Sequence, residues 1–439
     1  MTASQPADTA DPPSAPAPGV PASVPAPAPR PLRRNLRFQA LWIGMTSSTL
    51  GVSVADIAYP LAILAMTGSP ARAGLFAAVQ AVAMLAAGLP AGSLADRFDP
   101  RAIVLATEGG RAAVTVVVVA ALVGGWLSLP LLLAAGALLG VGQAICATAR
   151  TLLLRSVVPN EQLTSALAQD QVRTNGAAMA GPALGGALYA VRAVGHAVPF
   201  VFTAASFAFA LATTAFLPPR QQRQPAGRPS RDQAAAADPD RGGMLAGVRL
   251  LWQHPVLRAA MILIMIVNTL GAGLDLIVIV LLRHQAVPST EIGLALGAGY
   301  AGGIAGIAVI KLAHRLRPGV MLLTICLAIV PVLTLLALPL GPWWVAGLLF
   351  IALLGIPSVQ VAMDILVIRQ APDEQRGRVV AAFMTLIALG VPVGLAGCGL
   401  LLQYVPAQGA MLTLAAILAA GVAYSATNRE LWHAPWPAS

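Results

Sequence analysis

The segment Leu94-Ala-Asp-Arg-Phe-Asp-Pro100 recurs in the second half of the chain as Leu312-Ala-His-Arg-Leu-Arg-Pro318. The two copies lie 218 residues apart, which is half of the 439-residue chain. Each copy is a short basic turn between two long apolar stretches. The repeat therefore predicts two similar halves, each a bundle of membrane helices with charged loops on one face.

The composition is that of a membrane protein. Hydrophobic residues make up 57% of the chain and charged residues 10%, whereas soluble domains contain about 25% charged residues. A helix needs about 20 apolar residues to cross a bilayer. The pattern predicts an all-α integral membrane fold with twelve spans in two pseudo-symmetric six-helix halves. The predicted spans are residues 38–66, 72–95, 102–126, 129–153, 166–190, 195–217, 256–282, 289–312, 319–340, 343–369, 379–403 and 407–427.

The regions between and outside the spans define the predicted domains. Residues 1–35 are rich in Pro and Ala and have no apolar core-forming pattern, so a disordered cytoplasmic tail is expected there. Residues 36–217 form the N-terminal half and residues 256–427 the C-terminal half. Between them, residues 218–255 form a polar cytoplasmic linker, and residues 428–439 form a cytoplasmic C-terminal tail.

The distribution of arginine predicts the topology. Short loops rich in Arg or Lys stay in the cytoplasm, so both termini are expected there. The net charge of +10 follows from this topology, and no pattern typical of nucleic-acid binding is present. Outside the tail and linker, the predicted cytoplasmic face carries Arg97, Arg101, Arg150, Arg155, Arg315, Arg317, Arg369, Arg376, Arg378 and Arg429. The other face carries Arg72, Arg192 and Arg283.

The internal repeat extends beyond the opening segment. Gly51 to Asp56 corresponds to Gly271 to Asp275, and Pro159-Asn-Glu161 corresponds to Pro372-Asp-Glu374. Because each half has an even number of spans, both halves share one orientation and are related by an axis along the membrane normal.

These segments resemble a known family. Gly92-Ser-Leu-Ala-Asp-Arg97, followed by Arg101, resembles the signature loop between helices two and three of the major facilitator superfamily, although Asp99 and Pro100 replace the usual Gly and Arg. The chain is also similar to the type-3 drug:proton antiporter branch, which includes macrolide and enterobactin exporters. The segments that carry this second likeness are Leu41-Trp42 with Gly51, Thr67-Gly-Ser-Pro70, Gly181-Pro-Ala-Leu-Gly-Gly186 and Pro372-Asp-Glu-Gln-Arg-Gly-Arg-Val379.

The resemblance implies roles for two motifs. Gly92, Asp96, Arg97 and Arg101 would form a cytoplasmic gate, with Asp96 paired to Arg150, Arg155 or Arg378; the alternative is a solvated loop. Gly181, Pro182, Gly185 and Gly186 match a helix-five motif of exporters, or serve helix packing alone. The related pattern Gly390-Val-Pro392-Val-Gly394 in helix eleven favours a shared packing role.

Charged residues inside the spans are the leading site candidates, because a charge near the bilayer centre costs about 2.5 to 3.5 kcal/mol on insertion scales. Asp56 and Asp275 are symmetry mates without a basic neighbour within one helical turn, so both are predicted proton carriers; the alternative is that they only hydrogen-bond and never titrate. Glu108 with Arg111, and Asp170 with Arg173, have the spacing of structural ion pairs. Asp364 is expected to reach the cytoplasmic interface.

Polar side chains in the spans are candidates for the substrate cavity or for interhelical hydrogen bonds. The remaining cavity-forming residues are small and aliphatic, which favours an apolar or amphipathic substrate of drug size. The candidates are Tyr59, Gln80, Gln143, Asn175, Asn268, Tyr300 and Gln360.

The sequence predicts a proton-coupled exporter of an amphipathic small molecule, such as a drug, antibiotic or siderophore, and the family resemblance implies a bacterial inner membrane. We expect a monomer that contacts substrate, protons and membrane lipid. No cofactor, metal site, Walker A motif or catalytic motif is expected, so an enzyme is not predicted. Two alternatives remain: an importer or lipid facilitator of the same fold, and a non-transporting membrane sensor or scaffold.

Overall fold

The computed structural model describes residues 32–191, 196–217, 248–249, 251–313, 317–370 and 376–433. The described residues of the first half form six long helices: α1 (Leu36–Thr67), α2 (Pro70–Arg97), α3 (Pro100–Val123), α4 (Leu129–Val157), α5 (Leu163–Ala190) and α6 (Val198–Ala215). The described residues of the second half form α7 (Pro255–His284), α8 (Ser289–Ala313), α9 (Pro318–Leu336), α10a (Pro342–Leu354), α10b (Ile356–Gln370), α11 (Arg376–Tyr404), α12 (Ala407–Ala426) and the short α13 (Arg429–His433).

Local sequence sets where these helices begin and end. The Asn35 side chain accepts a hydrogen bond from the Phe38 N–H at 3.2 Å and so caps the start of α1. Gly68, with φ of +63°, ends α1. Asp99 caps α3 and Pro100 occupies its first turn. The departure from the family pattern at Asp99 and Pro100 therefore supplies an efficient helix start.

Eleven helices within the described residues are long and apolar enough to cross a membrane, with α10a and α10b counted as one span over Pro342–Met363. The predicted twelfth span is α5. Its 28 residues exceed the length of a membrane crossing, but its first half contains Asp170, Arg173 and several amides. The α5 helix therefore depends on protein neighbours to shield its polar groups.

The two halves repeat one packing scheme. In the first half α1 packs on α5 and α6, α2 packs on α4, and α3 packs on α6. In the second half α7 packs on α11 and α12, α8 packs on α10a, and α9 packs on α12. Each contact matches its counterpart six spans earlier, so the structure confirms the pseudo-symmetric fold predicted from the repeat. The boundaries of the tail, the linker and the two halves remain predictions.

The halves meet through α2 against α11 and α5 against α8. Glycines allow this contact: a Cβ on Gly74 would lie 2.8 Å from the Gly399 Cα, and a Cβ on Gly293 would lie 3.1 Å from the Gly186 Cα. Small residues let membrane helices approach closely. These contacts lie at the helix ends farthest from Leu36 and Ala426, and we call this region the closed end.

Two hydrogen bonds join the halves at the closed end. The Ser69 hydroxyl donates to the Gln403 side-chain oxygen at 2.7 Å, and the Arg283 guanidinium donates to the Leu61 carbonyl at 3.2 Å. Both bonds lie beside the glycine contacts. The closed end is therefore held by close packing and by polar contacts.

Candidate functional site

Asp56 and Asp275 occupy equivalent places in the two halves, on α1 and α7. The Asp56 side chain is exposed and lies within electrostatic reach of Asp275 of the other half, so it faces the space between the halves. Asp275 is half-buried and accepts a hydrogen bond from the Tyr300 hydroxyl at 2.9 Å. Asp56 and Asp275 lie close enough to interact electrostatically.

The backbone of α1 is irregular beside Asp56. Pro60 lies inside the helix and has no N–H, so it cannot donate to the carbonyl of Asp56, four residues earlier. The first predicted proton carrier therefore stands where the regular hydrogen-bond ladder of its helix is interrupted. This interruption leaves an additional acceptor near the carboxylate.

A cavity of about 410 Å³ lies inside the second half, between α7, α8, α9, α10a, α10b, α11 and α12. Its volume is within the range of small-molecule sites, roughly 300 to 1,000 Å³. Most of its wall is aliphatic. Its polar lining residues are Asn268, Asp275, Tyr300 and Gln360. Three of the seven predicted substrate residues thus lie around one of the predicted proton carriers.

The other predicted cavity residues are elsewhere. Gln80 and Gln143 are part-buried in the first half, and Asn175 accepts a hydrogen bond from Gln171 at 3.0 Å. The prediction for Tyr59 is wrong. Its side chain is 2% exposed and packs between Phe76 and Phe200, with ring centroids 4.7 Å and 4.9 Å away.

The position of Tyr59 on its helix explains this error. Tyr59 comes three residues after Asp56, which turns its side chain roughly 60° away on an α-helix. That rotation directs it into the aromatic core of its own half.

Glu108 is the centre of a buried charge cluster. Its carboxylate is fully buried and forms a salt bridge with Arg150 of α4. The Ser48 hydroxyl of α1 contacts both carboxylate oxygens at 3.0 Å and 3.2 Å. Arg111 lies farther away, with Nη1 3.6 Å from Oε2 of Glu108. The predicted pair is thus brought together, but Arg150 is the closer partner.

Asp170 and Arg173 also lie together, at 2.7 Å. Arg173 donates in addition to the Met45 carbonyl of α1 at 2.9 Å and to the Thr49 hydroxyl. This arrangement gives the charged part of α5 its polar partners on α1. The Thr49 contact was not predicted, since a hydroxyl within an apolar helix carries no sign of its partner.

The signature loop does not form the predicted pair between Asp96 and Arg150. Asp96 and Arg97 are exposed, and Arg150 binds Glu108 instead, because Glu108 presents a buried carboxylate to α4. Arg155 is exposed, and the side chains of Arg378 and Asp364 lie outside the described residues. Arg101 donates to the Ala215 carbonyl at 2.8 Å and so binds the end of α6.

The glycines of the helix-five motif lie in two interfaces. A Cβ on Gly181 would overlap the Ser53 side chain of α1, and a Cβ on Gly185 would lie 3.0 Å from the Val54 carbonyl. On the opposite side, Gly186 contacts α8 at the closed end. In α11, Gly390 and Gly394 approach Thr269 of α7 in the same way. The motif thus has a packing role, whether or not it also influences transport direction.

The described residues contain no cluster of three or more His, Cys, Asp or Glu side chains arranged to hold a metal ion. The site combines carboxylates and hydrogen-bonding side chains with the mainly apolar wall of the cavity.

Comparisons with known proteins agree with this geometry. The family model of the Major Facilitator Superfamily matches residues 41–395. The multidrug efflux pump Tap of Mycobacterium tuberculosis (strain ATCC 25618 / H37Rv) is 26% identical over 388 residues, which cover 84% of this chain and 88% of that protein. The enterobactin exporter EntS of Escherichia coli O1:K1 / APEC is 24% identical over 395 residues, which cover 87% of each chain.

Solved structures show the same fold. A bacterial homologue of the human lysosomal transporter Spinster, in an inward-facing and occupied conformation, matches with a TM-score of 0.68 and 16% identity over 94% of this chain and 100% of that chain. A bacterial homologue of the iron transporter ferroportin, in an inward-facing state, matches with a TM-score of 0.64 and 17% identity over 91% and 98%. Because the family model covers residues 41–395, which is most of the chain, this multi-pass membrane transporter for a small molecule belongs to the major facilitator superfamily.

Proposed function

We propose that this transporter exports an amphipathic small molecule in exchange for protons. The observation that carries the proposal is Asp275, hydrogen-bonded to Tyr300, on the wall of a mainly aliphatic cavity of about 410 Å³, with its symmetry mate Asp56 within electrostatic reach. Placing a carboxylate in a membrane interior costs free energy, and such groups mark proton or substrate pathways. Symmetry-related carboxylates on the first helix of each half are well placed to respond to both substrate and proton.

The exchange follows from alternating access. A carboxyl group that faces one side of the membrane and then the other takes up a proton on the acidic side and releases it on the other side. The membrane potential adds about 2.3 kcal/mol per elementary charge per 100 mV. Asp56, which faces the interior space, is the leading carrier in this proposal, and Asp275, held by Tyr300, is the second.

The walls of the cavity and the relatives support the substrate class. Apart from Asn268, Asp275, Tyr300 and Gln360, the residues around the cavity are apolar. Such a surface favours a molecule with a large apolar body and few polar groups. Two relatives are named as exporters of drugs and of enterobactin, which supports efflux as the direction.

The proposed orientation places both termini in the cytoplasm of a bacterial inner membrane. The closed end then lies at the outer surface, and the conformation faces inward, as in the two matched structures named for that state. Exposure of Asp96 fits this conformation, since the proposed gate would form its ion pairs when the cytoplasmic side closes. We propose a monomer in contact with lipid, with no nucleic-acid partner.

Everted membrane vesicles that contain the protein test the proposal. The vesicles are energised to an acid interior, and a pH dye inside them is followed as macrolides, siderophores and lipophilic cations are added. We expect one compound to discharge the gradient in wild-type vesicles, and Asp56→Asn to abolish this response and uphill transport while sparing substrate binding, because Asn carries no exchangeable proton.

The control is Glu161→Gln, which neutralises an exposed acid away from the cavity and should leave the response intact. Undiminished uphill transport by Asp56→Asn would contradict the role of Asp56. If the compound instead leaves the vesicles and the interior pH does not change, the importer or facilitator would be favoured.

A further inference from the structure

A second cavity, of about 360 Å³, lies between α8, α9, α10a and α10b. Its walls include parts of Met321–Val332 on α9 and of Ile351–Ser358 on α10a and α10b, and we call it the lateral cavity. Along α9 it extends for roughly 16 Å. Among the described residues that line it, Ser358 carries the one polar side chain, and the others are aliphatic residues, Met and Gly.

The lateral cavity opens toward the lipid. Ile351 and Ala328 line it and have exposed side chains, so they form its outer rim. The α9 helix packs on α10a, α10b, α12 and α13, which all belong to its own half. The exposed face of α9 is therefore directed to the membrane and not to the first half of the molecule.

On its inner side, the lateral cavity borders the cavity beside Asp275. Ile329 of α9 and Ala352 of α10a line both cavities. On α10a, Leu353 lines the cavity beside Asp275, and the next residue, Leu354, lines the lateral cavity. A thin layer of side chains thus separates a space that opens to lipid from the proposed substrate site.

The hydroxyl of Ser358 is buried without a hydrogen-bond partner among the described residues, and the residue is 1% exposed. Hydroxyls in helices often donate to the carbonyl four residues earlier, as Thr324 of α9 does to Val320 at 2.8 Å. Buried polar groups are normally hydrogen-bonded, and the lipid interior supplies no water for this purpose. A single donor in an apolar wall fits a ligand that is mainly apolar and carries an oxygen acceptor.

We propose that the lateral cavity is a second binding site, which an amphipathic molecule dissolved in the membrane occupies before it enters the cavity beside Asp275. Its apolar part lies between α9 and α10a, and a carbonyl or ether oxygen accepts the hydrogen bond from Ser358. Movement of the Ile329 and Ala352 side chains then joins the two cavities. This inference rests on the proposed function, since it describes how the exported molecule reaches its site.

Benzophenone is a suitable probe, because it is apolar, carries a ketone oxygen as acceptor and attaches to nearby C–H groups on illumination. The purified full-length protein in lipid vesicles is illuminated with benzophenone, and the attachment sites are identified by mass spectrometry. The readout is Met321, which lines the lateral cavity and is 1% exposed. Benzophenone in the surrounding lipid does not touch this side chain, so attachment to Met321 is expected only through the lateral cavity.

Three variants and a matched control sharpen the test. Ser358→Ala should reduce attachment to Met321 by about fivefold, the effect of losing one hydrogen bond, whereas Ser358→Thr keeps the hydroxyl and should retain most of it. Ala328→Phe fills the rim and should also reduce attachment. Leu327→Phe is the control, because Leu327 is the neighbouring residue, is 57% exposed and does not line the cavity; attachment should be unchanged.

The compound that discharges the proton gradient in everted vesicles should compete with benzophenone at Met321. For that compound, Ala328→Phe should raise KM severalfold and leave the maximal rate unchanged, because the variant obstructs entry and not the exchange at Asp275. Attachment that the compound does not reduce would indicate a site for membrane lipid only, and it would overturn the proposal.

The outcomes separate this inference from the proposed function. Equal attachment to Met321 in wild type, Ser358→Ala and Ala328→Phe overturns the lateral site, and proton-coupled transport is then unaffected. If no compound is transported, the proposed function fails, and the attachment pattern still decides whether the lateral cavity binds amphipathic molecules. If Ala328→Phe does not fold, Ile351→Phe at the same rim takes its place.

Discussion

Tyr300 is a hydrogen-bond partner of Asp275 inside the membrane. Its hydroxyl donates to the carboxylate at 2.9 Å on the wall of the cavity, and hydrogen bonds to charged groups contribute about 1.5 to 3 kcal/mol. Since this donor favours the ionised carboxylate, Tyr300 and Asp275 act as a unit. The side chain of the equivalent Asp56 is exposed.

Replacing Tyr300 by Phe removes this donor and retains the ring. We expect Tyr300→Phe to reduce proton-driven transport by about tenfold, which corresponds to the loss of about 1.4 kcal/mol, and to leave folding intact. Initial rates in the everted vesicles measure the effect. Tyr424→Phe, at an exposed tyrosine on α12, is the control; equal activity of both variants would exclude a functional role for the Tyr300 hydroxyl.

At the scale of elements, α5 and α11 have equivalent positions and equivalent glycines. Each packs on the first helix of its own half and on a helix of the other half, α8 for α5 and α2 for α11. Their glycines permit both contacts. The closed end forms only if these helix pairs approach within backbone distance, so a single side chain there should alter the conformational equilibrium.

Gly186→Val introduces a side chain into the contact of α5 with α8, where a Cβ would meet the backbone of Ser289 and Gly293. We expect it to open the closed end. The measurement is cross-linking by a short bifunctional thiol reagent between cysteines at positions 69 and 403, where the Ser69 hydroxyl and the Gln403 side-chain oxygen lie 2.7 Å apart, in a protein with its three native cysteines replaced. Cross-linking should fall at least severalfold.

The matched control is Gly110→Val on α3, where a Cβ would have no neighbour within 4 Å. Cross-linking at positions 69 and 403 should be unchanged in this variant. Equal cross-linking in Gly186→Val and Gly110→Val would show that the glycine contact does not determine closure.

At the scale of the whole molecule, transport should depend on the helical body and not on the N-terminal tail. The described structure begins at Leu32, which is buried, and Asn35 both caps α1 and donates to the Val157 carbonyl at 3.2 Å. These contacts fix the start of α1 against the end of α4. Residues 1–31 precede this anchor.

Deletion of residues 1–31 should leave transport within about twofold of wild type, whereas a sensor or scaffold would depend on that segment. A longer deletion through Arg37 also removes the helix cap, and the loss of a cap costs about 1 kcal/mol of stability. We expect thermal unfolding in detergent to show a lower midpoint for the longer deletion only. Loss of transport with the shorter deletion, at normal expression, would favour the partner-binding alternative.

The helices and the repeat could be predicted because hydropathy and spacing act within short stretches of chain. Contacts between helices could not be predicted in this way. The spacing of Glu108 and Arg111 predicts a pair on one helix face, but the closer partner of Glu108 is Arg150, which comes from α4. Likewise, the pattern around Tyr59 gives no sign that Phe76 and Phe200 enclose it. The break between α10a and α10b at Gly355 was also not predicted, because it interrupts an otherwise continuous apolar stretch.

The polarity of α5 has a consequence for how the protein is made. A helix with Asp170 and Arg173 in its first half is a poor candidate for independent insertion during synthesis. Arg173 donates to the Met45 carbonyl and the Thr49 hydroxyl of α1, a helix that leaves the ribosome long before α5. We therefore infer an order of biogenesis: α1 inserts into the membrane first, and α5 enters the bilayer later by packing against α1.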